Sequence, residues 1–527
     1  MQKTTRLNIC KAALLSLSLT FSCAQAAQLE IGTATIAELQ AAMASGKLTA
    51  EQLLTLYLAR IDAYDQKGPK LNTIITLKDR ALALSEARAL DAERKSGNVR
   101  SPLHGTVVLA KDVFDTKDMP TSGGFKPMAT SKPVYDSFIV DRLRASGVVI
   151  LGKLNQSDWY GVANQGASTL QGQVLSPYNL KKLTGYSSSG TGASMAAWFS
   201  TFGLGSDTGG SITIPSANSN LVGFAMSHGL VSRTGMMWSS PRQENGGPMC
   251  RSVYDCAAVL DVIAGYDAAD LATEESVGKM PEQSYVSYVN PKGLQGARVG
   301  VLSQMVRKGK VHLEGQVLFD KAVKDLRAAG AIVVEPLNLD FDLVQAQFDA
   351  SAAGFERAVA INKYLAALPK DAPVRTVAEM IQKGGALVKP AIIDAAKNPI
   401  PLERHPNLIA AYKAQDMLRS ALVKLMDTYQ LDSLVLPFRT AIIEDVGQTL
   451  PMTSDTRNSL SSYTGLPTII VPGGFFPSDG MPFGVQFLGR KFTEPTLIKL
   501  ASGYEASTKH RKAPTLTPAL SGEKIDY

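Results

Sequence analysis

Short apolar runs of strand type alternate with helix-type patterns along this chain, and they constrain its fold more than any other feature. Thr106-Val107-Val108-Leu109-Ala110 and Gly147-Val148-Val149-Ile150-Leu151-Gly152 bracket a helical stretch at 137–146. Further runs stand at 297–302, 331–335, 433–436 and 468–471. A strand that is apolar throughout is buried on both faces, so helices must cover its sheet on either side. The expectation is α/β: a single large domain with a mixed, mainly parallel β-sheet covered by helices on both faces.

The flanking segments fit that plan. Thr49-Ala50-Glu51-Gln52 reads as a capping box opening an amphipathic helix, with Leu53, Leu54, Tyr57, Leu58 and Ile61 on its apolar side. Gly68-Pro69 ends it, and 78–95 reads as a second helix. Residues 340–430, rich in Ala, Leu and Lys, read as mostly helical, and 276–292 as a surface connection. With no internal repeat, one domain fits better than several. Hydrophobic residues at 45% and charged residues at 19% exclude a disordered chain. A net charge of +7 without any concentrated Lys/Arg run argues against nucleic acid as a partner.

Residues 1–26 read as a signal peptide, leaving 27–527 as the single folded domain. Lys3, Arg6 and Lys11 lead into an apolar stretch from Ala12 to Phe21, and Ala24-Gln25-Ala26 supplies small residues for cleavage. That stretch is shorter than the roughly 20 residues a membrane span takes. No later run is long enough either, so the mature chain is expected to lack an integral membrane segment and to be periplasmic or secreted. Thr20-Phe21-Ser22 before Cys23 fits a lipid-anchor site poorly. Removal of the leader leaves Cys250 and Cys256, which a helix starting near Ser252 sets on different faces; both are expected to be free thiols.

The chemistry concentrates in two Gly/Ser-rich stretches with apolar flanks. One is Thr184-Gly185-Tyr186-Ser187-Ser188-Ser189-Gly190-Thr191-Gly192, and the other is Gly205-Ser206-Asp207-Thr208-Gly209-Gly210-Ser211-Ile212. Successive N–H groups of such a turn form a nest for an anion. Phosphate-loop and dinucleotide fingerprints are absent, which favours the oxyanion of a tetrahedral intermediate, with Ser211 as the attacking group. A serine needs a base. The five histidines stand in no triad setting, and neither stretch contains Gly-x-Ser-x-Gly. Lys111, directly after an apolar strand, is the remaining candidate.

These residues resemble the amidase signature family. Leu103-His104-Gly105 through Ala110-Lys111-Asp112, Gly185-Tyr186-Ser187-Ser188 and Gly205 to Ile212 match its pattern in order and spacing. So do Gly247-Pro248-Met249 with Arg251-Ser252-Val253, Tyr463-Thr464-Gly465-Leu466-Pro467, and Gly484-Val485-Gln486-Phe487-Leu488-Gly489. The resemblance implies a Ser–Ser–Lys triad. Ser211 attacks the carbonyl, Ser187 relays its proton while held by a cis peptide bond, and neutral Lys111 accepts it. It also implies an oxyanion hole from the N–H groups of Thr208, Gly209 and Gly210, with no metal and no cofactor. Ser188 and Asp207 are supporting residues; Asp207 either orders the loop or pairs with a base. Trp159 and Tyr160 line a pocket or pack in the core, and His104 packs at the strand entrance. Two positions depart from many members: Thr213 replaces an arginine, and Ala225-Met226 replace Lys-Pro.

The implied function is an exported amidase, cleaving the carbon–nitrogen bond of a small-molecule amide through an acyl-enzyme. The alternatives are one component of a tRNA-dependent amidotransferase, against which the leader counts, and a catalytically silent secreted binding protein. Oligomeric state is not legible in the sequence.

Overall fold

In Val107–Lys111 and Val149–Leu154 every residue is buried, and successive side chains enter different cores. Val107, Leu109, Val149 and Leu151 join one cluster, whereas Val108, Ala110 and Ile150 join the other. That alternation between two dry faces is what continuously apolar strands require. The structure, a computed structural model, describes residues 28–526 apart from 164, 398–399 and 449–457. The signal peptide expected over 1–26 lies outside the described residues.

Among the described residues eleven strands form one sheet. In chain order they are Ile74–Leu77 (β1), Val107–Lys111 (β2), Val149–Leu154 (β3), Phe202–Asp207 (β4), Val222–Ala225 (β5) and Asn245–Cys250 (β6). Arg298–Leu302 (β7), Ile332–Leu337 (β8), Ser433–Pro437 (β9), Thr468–Phe475 (β10) and Pro482–Leu488 (β11) complete it. Their spatial order is β8-β7-β9-β11-β10-β5-β6-β4-β2-β3-β1. The sheet is mixed. Parallel pairs hold both wings (β7 with β8 and β9; β2 with β3 and β4), and antiparallel pairs run through the centre. The edge strand β1 is antiparallel to β3.

One face is covered by the helices Ala50–Tyr64 and Arg80–Lys95, through Leu53, Leu54, Tyr57, Ala83 and Leu90. The other is covered by Phe138–Ala145, Val253–Ile263 and Glu494–Thr508. The capping box forms as the sequence predicts: Thr49 accepts from Gln52 N–H, and the Gln52 side chain accepts from Thr49 N–H at 2.9 Å. The 340–430 region is a set of helices that includes Ala353–Ala367 and Pro406–Thr428. Cys250 and Cys256 are buried free thiols. No described helix is long and apolar enough to cross a membrane.

The chain's two described ends meet. Gln28–Glu30 pairs antiparallel with Lys524–Asp526. Beneath this seam the buried Arg60 donates to both oxygens of Glu523 at 2.8 and 2.9 Å and stacks on Trp198.

Candidate active site

Parallel pairing of β2 with β4 sets Lys111 and Asp207, their last residues, at the same edge of the sheet. Ligands of α/β sheets bind outside the carboxyl ends of parallel strands. Lys111 is fully buried. Its Nζ hydrogen-bonds with Ser187 Oγ and donates to Ser206 Oγ at 2.9 Å. Burial lowers its pKa from the usual lysine range to about 8, against the pull of Glu244 and Asp207. Desolvation disfavours the ammonium form, so this amine gives up its proton near neutrality.

Ser187 lies in the loop before the helix Ser189–Ala196. The cis bond expected before it is not present: among the described residues the cis peptide is Glu335–Pro336, and Ser187 reaches Lys111 from a trans backbone. Ser188 is buried; its Oγ donates to Ser206 C=O at 3.2 Å and accepts from Ser206 N–H at 3.3 Å. It therefore fastens the Ser187 loop to β4.

Beyond β4 the chain turns through Thr208, Gly209 and Gly210 to Ser211, which is 9% exposed. Gly210 has φ +101°, and a Cβ there would stand 2.5 Å from Ser459 Oγ, so the turn requires glycine. Asp207 shapes this turn. Its carboxylate accepts from Gly210 N–H at 2.7 Å, from Ile212 N–H at 2.8 Å and from the Ser462 hydroxyl. Loop ordering is thus its observed role.

This network corrects the expected anion nest. The Gly210 N–H points back to Asp207 and is not free for a ligand, because the carboxylate folds over the turn. Among the described residues, the N–H groups of Thr208, Gly209 and Ser211 have no protein acceptor.

Thr208 is held from two sides. Its hydroxyl donates to Glu244 Oε2 at 2.6 Å, and its carbonyl accepts from Gln243 Nε2 at 2.8 Å. Glu244 is fully buried; burial raises its pKa, opposed by the Thr208 hydrogen bond and by Lys111. Gln243 Oε1 in turn accepts from Ala352 N–H at 2.7 Å and Ala353 N–H at 3.1 Å, linking the turn to the helix Ala353–Ala367.

The histidines are engaged away from Ser187 and Ser211: His104 meets Leu90 C=O, His228 meets Pro241 C=O, and His312 meets Thr440. His405 caps a helix and His510 meets Asp325. Among the described residues no cluster of His, Cys, Asp or Glu is arranged to hold a metal. Trp159 and Tyr160 are buried in the main core, Tyr160 edge-on to Phe125.

The sequence pattern of the Amidase family matches residues 52–498. The chain belongs to that family. Amidase signature enzymes hydrolyse amide bonds, and a Ser–Ser–Lys triad is characteristic of them. This amidase superposes on the native peptide amidase of Stenotrophomonas maltophilia with a TM-score of 0.80 at 33% identity, covering 92% of this chain and 99% of that one. An Arabidopsis thaliana protein named a probable amidase is 31% identical over 95% of this chain and 96% of its own length. A glutamyl-tRNA(Gln) amidotransferase component of Streptomyces coelicolor is 30% identical over 90% of this chain and 95% of its own.

Three residues of the amidase site escaped the sequence reading: Ser206, Gln243 and Glu244. Ser206 carried a signal, since it stands two places before Thr208 and extended backbone sends both to one side. Gln243 and Glu244 directly precede strand β6, whose Gly247-Pro248-Met249 marks the family, but nothing in their sequence context points at Thr208.

Proposed function

We propose that this chain is an exported amidase that hydrolyses a carbon–nitrogen amide bond through an acyl-enzyme on Ser211. The observation that carries the reading is the buried, easily deprotonated Lys111 amine bonded to the Ser187 hydroxyl. In this scheme Ser211 Oγ attacks the amide carbon as its proton passes to Ser187 Oγ, and the Ser187 proton passes to Lys111 Nζ. The carbonyl oxygen becomes an oxyanion held by the free N–H groups of Thr208, Gly209 and Ser211. Collapse breaks the C–N bond, and the proton returns through Ser187 to the leaving nitrogen. Water then repeats the relay, releasing a carboxylic acid and restoring Ser211.

Small amides, aryl or acyl amides and peptide amides all fit this chemistry; likeness to a peptide amidase favours peptide amides. Export rests on the cleavable-leader pattern of residues 1–26. The test incubates purified mature chain, alongside Ser211→Ala, with peptide amides, p-nitroanilides and simple primary amides. Ammonia or aniline release by the unmodified chain alone supports the reading. No turnover of any amide or ester discards it in favour of a silent binding protein. Recovery from the cytoplasm in complex with a second protein would instead indicate an amidotransferase, the assembly to which the Streptomyces relative's name refers.

A further inference from the structure

A cavity of about 760 Å³ opens beside the helix Ala353–Ala367, and none of the catalytic candidates lines it. Its size falls in the range of small-molecule sites, roughly 300–1,000 Å³. The wall includes Met236, Trp238 and Leu368. At the rim Val134, Tyr135 and Leu271 leave 58%, 79% and 70% of their surface exposed, grouped at one opening.

Nearly every charge around the cavity is already engaged. Asp136 pairs with Lys117 and Arg144, Asp270 pairs with Arg233, and Lys363 Nζ sits over the Trp238 ring at 5.6 Å. Asp115 differs. Its side chain is nine-tenths buried, one carboxylate oxygen accepts from the Tyr364 hydroxyl at 2.7 Å, and the other has no hydrogen-bond partner among the described residues. Burial pushes this carboxyl up to about 7, against the Tyr364 hydrogen bond. A buried carboxylate with an open oxygen is costly until a donor, best a cation, completes it. An anionic ligand would meet Asp115 head-on, and a purely apolar one would leave it unpaired.

We propose that this cavity binds a primary amine carried on an aromatic or aliphatic body, with the ammonium on Asp115 and the body against Trp238. The site stands apart from the Ser211 chemistry, so it does not depend on the function proposed above.

Calorimetric titration of the full chain with 2-phenylethylamine, 2-phenylethanol and phenylacetate tests it. The amine is expected to bind at least tenfold tighter than the alcohol or the acid. Asp115→Asn should weaken amine binding tenfold or more and abolish the preference, whereas Ser211→Ala should leave it unchanged. Ala367→Trp, placed at an exposed position of the wall, should obstruct all three probes and covers the case in which Asp115→Asn does not fold. No amine binding by the unmodified chain, equal affinity for the three probes, or undiminished binding in Ala367→Trp would overturn the proposal.

Discussion

Ser206 Oγ accepts a hydrogen bond from Lys111 Nζ at 2.9 Å, and the same nitrogen meets Ser187. The lysine is thereby aimed by a hydroxyl outside the expected triad. A hydrogen bond to a charged group contributes about 1.5–3 kcal/mol, or roughly 10- to 100-fold in rate if it is lost only in the transition state. Ser206→Ala should lower kcat by that factor and leave KM within about twofold. Steady-state kinetics on one amide decides it; an unchanged kcat would make Ser206 a bystander.

Lys111 must be uncharged to accept a proton, and its pKa stands at about 8. The rate kcat/KM should therefore rise with pH through about 8 and level off above it. Lys111→Ala should lose about 10²- to 10⁴-fold, the usual contribution of a general base, with its circular dichroism unchanged. Stability shifts in the same sense. The folded value lies below the unfolded one of about 10.4, so the unfolded state takes up the proton first. This residue's contribution to stability thus falls as pH drops from about 10.4 to about 8. A pH–rate profile flat between about 7 and 9 would contradict the lysine's role.

Gln243 joins the Thr208 carbonyl to the start of the helix Ala353–Ala367. Gln243→Leu leaves one buried carbonyl and two N–H groups without this partner, at about 1–3 kcal/mol for each group left unsatisfied. Both a lower melting temperature and a lower kcat are expected, because the turn carrying Thr208 loses its support. A variant that melts early yet keeps full kcat would separate the helix from the turn.

Asp207 offers two acceptor oxygens to the turn before Ser211. Asp207→Asn keeps one acceptor and replaces the other with a donor, which must face either the Ile212 N–H or the Gly210 N–H. The expected result is a kcat loss of at least about fivefold at unchanged secondary structure, since one misdirected buried donor costs about 1–3 kcal/mol. Full activity in this variant would show that the turn holds its shape without the carboxylate.

Strands β2, β3, β7, β9 and much of β10 were legible because they are continuous apolar runs. Strands β4 and β6 were not. Asn245–Cys250 contains Asn, two glycines and proline, and Phe202–Asp207 runs into a Gly/Ser stretch that reads as loop. Their pairing comes from neighbours on both sides, which no local propensity records. In the site, Lys111, Ser187, Ser188 and Asp207 were visible because their motifs are local. The capture of Gly210 N–H by Asp207, and the reach of Gln243 and Glu244 to Thr208, depend on how β4 and β6 register and on a side chain turning back. Spacing in the sequence carries neither.

The seam between Gln28–Glu30 and Lys524–Asp526 ties the first helices to residues far along the chain. Arg60 is buried in the helix Ala50–Tyr64, and its counter-charge Glu523 stands 463 positions away. Taking Glu523 away would leave a buried guanidinium without its partner, a loss of about 3–5 kcal/mol. A change at one end of the seam is therefore felt as instability at the other.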